Sequence, residues 1–302
     1  MHTNSVSRVA RLLAGAAVIA LGLTATLHAA PFPAINTPAT NDVRPGKLVW
    51  ADLFTSEPEA ATKFYCGLLG WTSTTIGQKG KTYTIFSNDG VPVAGLAPHS
   101  YAKETHPSRW VGYISVSDIN ATVAAVEKNG GKVHAPVRKF PDRGSQAIVA
   151  DNEGNVIGLL QSSSGDPADD ETKPGAWNWF ELYVKDPNST TNFYHQALGY
   201  SVGPETNSDR KSDFVLSSDG NARAGVAPVP TEVTNAEPRW LGVIRVADLD
   251  QTLDKVAGLG GEILVKPHAV EYGSRFAIIL DPTGGTIGLV QYIESANPAK
   301  NP

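Results

Sequence analysis

The chain holds one cysteine, Cys66, and one methionine among its 302 residues. A single thiol cannot close an internal disulfide, so packing alone must hold the fold. A basic surplus is missing too: 25 Lys and Arg stand against 30 Asp and Glu. That argues against the electrostatic footprint of nucleic-acid binding. Past the first thirty residues no apolar run approaches the length of a membrane span. No Gly-x-Ser-x-Gly elbow, phosphate-cradling glycine loop or dinucleotide fingerprint occurs. Apolar residues at 41% and charged residues at 18% argue against a mostly disordered chain.

The N-terminus reads as a leader. Arg8 and Arg11 precede an apolar stretch, Leu12 to Leu27, followed by the small residues Ala29 and Ala30. That layout is a secretory signal peptide over 1–29, and its apolar run falls short of a spanning helix. Its removal leaves 23 basic and 30 acidic residues, a net charge of −7. The expectation is an exported protein, periplasmic or secreted, with no membrane attachment after cleavage.

What the remainder contains is a repeat. Trp50-Ala51-Asp52-Leu53 returns as Trp179-Phe180-Glu181-Leu182, and Phe64-Tyr65 as Phe193-Tyr194. Arg109-Trp110 returns as Arg239-Trp240, and Gly130-Gly131 as Gly260-Gly261. DNEGNVIGLLQ from Asp151 returns as DPTGGTIGLVQ from Asp281. The offset stays at 129–130 residues. Two modules follow, 47–162 and 176–292, joined by a polar, acidic linker at 163–175. Residues 30–46 and 293–302, rich in Pro, Asn and Ala, read as loose tails.

Each module divides again. In the first half, Lys47 to Phe54 reads as a strand. Ser56, Pro58 and Glu59 open a helix whose Ala61, Phe64, Tyr65 and Leu68 share one face, and Gly70 ends it. Strands at 83–86 and 91–96 flank the Asn88-Asp89-Gly90 turn. The second half restarts with a strand at 110–116, a helix capped by Asp118, and strands near 132–134, 146–150 and 156–160. Asp186-Pro187 and Asp248 mark the same helix starts in module 2. The fold class is α+β, with strand–helix–three-strand units in pairs.

The ordered motifs, from aromatic strand and Phe-Tyr helix to Val-x-Asp helix, Gly-Gly and the closing Asp-x-x-Gly-x-x-x-Gly-Leu strand, resemble the vicinal oxygen chelate superfamily. That group includes glyoxalase I, bleomycin-resistance proteins and extradiol dioxygenases. The resemblance covers both modules and implies paired βαβββ units curling around a cavity. It also implies a divalent metal in the catalytic members, held from the first, fifth and last strands. The matching positions here are Trp50 and Trp179, Val111 and Leu241, Gly158 and Gly288, and none has a metal-binding side chain. No cofactor is therefore expected, and a divalent metal only through non-standard ligands.

Other residues carry the candidate chemistry. Asp52 and Glu181 lie two positions after their Trp, on the same strand face, and are the general acid–base candidates. Trp50, Arg109, Trp110, Tyr113, Trp179, Arg239, Trp240 and Arg275 are the ligand-binding candidates, because aromatic walls with a few polar groups suit a flat small molecule. Cys66 occurs in one module only and reads as an inert thiol; His99 and His106 read as a solvated loop pair. Three roles stand open, in decreasing order of support. One is metal-free small-molecule binding. The next is an enzyme of hydroxylase, lyase or dioxygenase type. The last is a structural role. The chain is a monomer with pseudo-dimeric modules or a homodimer.

Overall fold

The helix starts are set by short carboxylate caps. Asp118 accepts from the N–H groups of Asn120 and Ala121, Asp186 from Ser189, and Asp248 from Gln251, satisfying donors that no helical carbonyl can reach. The first helix departs from expectation. Its cap position is Glu57 rather than Ser56, with no side-chain cap, and Pro58 takes the first turn.

This is a computed structural model that describes residues 32–78, 81–99, 108–205, 213–230, 237–270 and 273–292. The signal-peptide stretch 1–29, the tail 293–302 and His106 lie outside the described residues.

Module 1 runs β1 (Leu48–Thr55), α1 (Pro58–Leu69), β2 (Thr72–Gln78), β3 (Lys81–Asn88) and β4 (Val91–Pro98). It then restarts with β5 (Arg109–Ser115), α2 (Ile119–Lys128), β6 (Lys132–Phe140), β7 (Gly144–Ala150) and β8 (Val156–Ser162). Module 2 repeats the plan. Its first unit is β9 (Trp177–Val184), α3 (Pro187–Leu198), β10 (Ser201–Pro204), β11 (Phe214–Ser218) and β12 (Asn221–Pro228). Its second is β13 (Arg239–Arg245), α4 (Leu249–Val256), β14 (Glu262–Ala269), β15 (Arg275–Leu280) and β16 (Thr286–Gln291). Each module forms one eight-stranded mixed sheet, ordered β2-β3-β4-β1-β5-β8-β7-β6 and β10-β11-β12-β9-β13-β16-β15-β14. The two βαβββ units of a module join through the antiparallel β1–β5 or β9–β13 pair. Hairpin turns at Asp89-Gly90 and Asp219-Gly220 have positive φ at both residues, as a type I′ turn requires.

Period-two alternation then sorts the side chains. Ala51, Leu53, Trp110 and Ile114 face the helices; Trp50, Val111 and Tyr113 face the other way. The helix-facing side forms one core that draws on both modules. Its centre is a reciprocal seam. Trp110 Nε1 donates to the Tyr65 hydroxyl at 2.8 Å, which donates to Asp281 Oδ2 at 2.7 Å. Trp240 Nε1 donates to the Tyr194 hydroxyl, and that to Asp151 Oδ2, both at 3.2 Å. Burial and the facing carboxylate push both tyrosine pKa values well up, so the hydroxyls stay protonated donors. The second glycine of each Gly-Gly pair lets the modules approach. A Cβ at Gly261 would stand 2.6 Å from the Phe64 ring, and one at Gly131 3.0 Å from the Phe193 ring.

A shorter repeat reinforces the seam. Pro45-Gly46 reaches module 2, where the Tyr200 hydroxyl donates to the Gly46 carbonyl at 2.6 Å and Ser218 Oγ to the Pro45 carbonyl at 2.5 Å. Pro174-Gly175 reaches module 1 in the same way: Trp71 Nε1 donates to the Gly175 carbonyl and Asn88 Nδ2 to the Pro174 carbonyl, both at 2.8 Å.

Two segments expected to be loose or exposed are packed in part. Phe32 to Asn36 lie against module 1, with Ile35 buried and the Ile35 and Asn36 N–H groups on Ser164 Oγ, while 37–43 are exposed. In the linker, Ser164 and Asp166 are buried. Asp166 accepts from the Arg44 N–H and Ser115 Oγ, both at 2.6 Å. Asp169 ties Lys47 and Arg44 to Arg223 of β12. Composition reads these segments as solvated because their few apolar and acidic groups find partners only at long range. Among the described residues no helix is long and apolar enough to cross a membrane.

Candidate functional site

The concave side of sheet 1, opposite the helices, carries the chemistry. Alternation along β1 sends Trp50, Asp52 and Phe54 to this side. At its centre, Asp52 Oδ1 accepts from Trp50 Nε1 at 2.7 Å and from the Tyr83 hydroxyl at 2.6 Å. The Tyr113 ring belongs to the same buried cluster as Trp50. Tyr83 and Tyr113 are held well above their usual pKa, first by burial and then by the Asp52 charge. Over this cluster lies Arg143, fully buried, with its guanidinium carbon 4.0 Å from the Trp50 ring centroid.

Beside the buried cluster a cleft of about 700 Å³, counting the part open to solvent, runs over β5, β6 and β7. Phe54, Tyr113 and Phe140 supply aromatic walls, and Val111 and Ile148 aliphatic ones. Among the described residues its charged lining is Arg109 and Arg138. Its enclosed part is about 110 Å³, so a bound small molecule would extend into the open part of the cleft.

Module 2 keeps part of this plan. Trp179 Nε1 donates to Glu181 Oε2 at 3.0 Å, and both residues are half-buried rather than sealed. Arg239 is half-buried beside Arg109; burial first, then the Arg109 charge, lower its pKa.

The candidate residues thus separate. Trp50, Asp52 and Tyr113 come together on the concave face of module 1, with Arg109 at the cleft; Trp179 and Glu181 pair in module 2. Trp110 and Trp240 do not join them: they are on the helix-facing side, committed to Tyr65 and Tyr194. Their Arg-Trp repeat serves the seam through Trp and the cleft side through Arg109. Arg275 also departs. It makes a bidentate pair with Asp250 of α4 at 2.7 and 2.9 Å, on the outer side of the sheet. The sequence reading omitted Tyr83, Arg138, Phe140 and Arg143. Only Tyr83, on a strand with period-two alternation, carried a local signal; Arg143 lies in the Pro-Asp-Arg-Gly turn before β7 and meets its partners at long range.

The donor set does not fit a divalent metal of the family type. Trp50, Val111 and Gly158 offer no ligand, and a Cβ at Gly158 would stand 2.3 Å from the Tyr113 ring. In module 2 the Phe276 ring similarly lies over Gly288. The one central carboxylate, Asp52, is already engaged by two donors. Among the described residues no group of three or more His, Cys, Asp or Glu converges. Cys66 is half-buried, and burial pushes its thiol pKa up, away from a reactive thiolate.

Known proteins share this architecture. The chain is 30% identical over 269 residues to the anthracycline biosynthesis protein DauV of Streptomyces sp. strain C5, covering 84% of this chain and 96% of that one. It is 29% identical over 257 residues to CFP32 of Mycobacterium bovis, whose name marks it provisionally as a glyoxylase, with 84% and 98% covered. Among solved structures, the Mn(II)-bound glyoxalase from Novosphingobium aromaticivorans superposes with a TM-score of 0.58 at 17% identity, covering 82% of this chain and 83% of that one. An extradiol ring-cleaving dioxygenase from B. fuscum gives 0.58 at 14% identity, with 89% and 78% covered. These structural likenesses establish the fold and leave the reaction open. A family profile matches residues 47–159 and again 176–289. The chain therefore belongs to the Glyoxalase/Bleomycin resistance protein/Dioxygenase superfamily, as a tandem of two modules.

Proposed function

We propose that the concave face of module 1 binds a flat, conjugated small molecule without a resident divalent metal, in an exported protein. The observation that carries this reading is the cleft, with aromatic walls from Phe54, Tyr113 and Phe140 and a rim of Arg109 and Arg138. Aromatic side chains give a planar ligand large contact area at low ordering cost, and arginines stack on its face or pair with its oxygens. The relation to DauV, named for anthracycline biosynthesis, supports a polycyclic aromatic ligand. The leader-like residues 1–29 support export.

The test uses the chain from Ala30 onward. It is offered Mn, Fe, Co, Ni and Zn separately, dialysed and assayed by elemental mass spectrometry. It is then titrated with the neutral probe anthraquinone-2-carboxamide, followed by native mass spectrometry. The expected result is no stoichiometric metal and one bound probe, lost in Tyr113→Ala. A retained equivalent of metal on which probe binding depends would overturn the metal-free reading. Mature protein starting near Ala30 outside the cytoplasm would support export.

A second reading has one observation in its favour. Glu181 is half-buried where Asp52 is 5% exposed, so module 2 presents a carboxylate that a substrate can reach. In that reading Glu181 acts as general acid–base of a family enzyme. Turnover of any substrate that survives unchanged in Asp52→Asn, Glu181→Gln protein would remove it.

A further inference from the structure

We propose that Arg143 anchors a second, deeper subsite for the carboxylate of a planar aromatic acid, and that the segment Phe32–Ile35 covers this subsite and gives way to the ligand. The inference rests on the small-molecule reading of the cleft and adds the charge of the ligand.

The first observation is an incomplete guanidinium. Arg143 is 0% exposed, yet its Nη1 and Nη2 have no hydrogen-bond partner. Its Nε alone is satisfied, by the Pro33 carbonyl at 2.8 Å. A buried cation with two unmet donors is a costly arrangement, so the covered state leaves room for a ligand to improve it. The unmet pair is the planar fork that matches a carboxylate with two parallel hydrogen bonds.

The second observation is what surrounds the fork. Trp50 presents its ring face 4.0 Å from the guanidinium carbon. The nearby carboxylate, Asp52, accepts from Trp50 and Tyr83. Among the described residues the adjoining cleft has arginines as its charged lining, although the whole chain is net acidic. Three guanidinium groups, Arg143, Arg109 and Arg138, thus stand against the single Asp52 carboxylate, a balance that favours an anion where the fork is open.

The third observation is the cover. Phe32 packs its ring 4.5 Å from that of Tyr83 and 4.8 Å from that of Phe140, a cleft wall. It thus occupies the space a planar ring would take between the fork and the cleft. From Ile35 onward the segment is pinned by Ser164 and Asp166. Ahead of Ile35 it holds by the Phe32 ring and by the Pro33 carbonyl on Arg143 Nε; a planar acid on Nη1 and Nη2 would take the place of the ring.

The experiment compares anthraquinone-2-carboxylate with anthraquinone-2-carboxamide by calorimetry on the chain from Ala30 onward. The acid is expected to bind at least about tenfold tighter than the amide, the scale of a charge-assisted contact. Arg143→Gln brings the two affinities together, and Arg143→Lys keeps part of the difference. Phe32→Ala tightens both probes. In wild-type protein, hydrogen exchange across residues 32–40 speeds up on adding the acid. That last measurement needs no variant to fold. Amide binding with no preference for the acid would sink the Arg143 subsite while leaving the cleft reading intact. A preference that survives in Arg143→Gln would assign the anion to Arg109 or Arg138 and equally overturn it. Failure of both probes, in wild type and Phe32→Ala, would count against both readings.

Discussion

The two concave faces differ where the two halves of the seam agree. Across the seam each element appears twice: Trp110–Tyr65–Asp281 against Trp240–Tyr194–Asp151, and Gly46 against Gly175. On the concave side only the Trp–acid pair is kept, as Trp50–Asp52 and Trp179–Glu181. Strand register puts Asp213 where Tyr83 stands, Val243 where Tyr113 stands and Gly273 where Arg143 stands. The Tyr83 and Tyr113 hydroxyls and the Arg143 guanidinium therefore have no counterpart at the matching positions of module 2. Within one chain, packing holds the seam fixed while the faces have been free to diverge.

The largest expected effect separates adjacent residues on opposite faces. Trp110→Ala opens a hole in the shared core and should lower stability by about 3–5 kcal/mol in urea unfolding. Arg109→Ala should change it by less than about 0.5 kcal/mol and weaken probe binding instead. Equal losses would mean that both residues serve one structure.

The next prediction compares the faces. An added Cβ at Gly95 would meet the buried Tyr83 hydroxyl and Asp52, whereas at Gly225 it would meet the tip of half-buried Glu181. Gly95→Ala should cost about 1–3 kcal/mol, and Gly225→Ala clearly less because Glu181 can swing outward. Matching midpoints would show that the module 2 carboxylate is held as firmly as Asp52.

Tyr65→Phe and Tyr194→Phe test the seam's twofold character. Each leaves an indole N–H unpaired and should cost about 1–2 kcal/mol, by similar amounts. A marked inequality would show the halves are not equivalent.

The smallest effect is electrostatic. Arg223, and then Lys47, hold Asp169 at about 2, below the ordinary carboxylate value of 3.8. Its contribution is whole above that ordinary value and is lost as pH falls through about 2. Asp169→Asn should flatten the stability–pH curve in that window and cost under about 1 kcal/mol at neutral pH, given solvent screening. An unchanged curve would remove the linker tie.

Much of the fold was legible because its signals are local. Asp118, Asp186 and Asp248 cap the helices as read, and Asp89-Gly90 turns where expected. The polar edge strand β2, TSTTIGQ, was not placed: it lies on the surface and shows no apolar alternation. Trp110 was assigned to the ligand because β5 is buried on both faces, so composition could not tell one from the other. The candidate site was legible in its Trp–acid pairs, which need only period-two geometry. It was not legible in Arg143 or Phe32, which meet Pro33 and Tyr83 across 110 and 51 residues of chain and share no repeat.

The reciprocal seam has an evolutionary corollary. In a homodimer built this way, every mutation would appear in both pockets at once, so a change helpful in one would be imposed on the other. Joining the modules in one chain breaks that bond: a substitution at position 143 leaves position 273 untouched. Fusion turns a symmetric pair into two separately tunable pockets on a common frame.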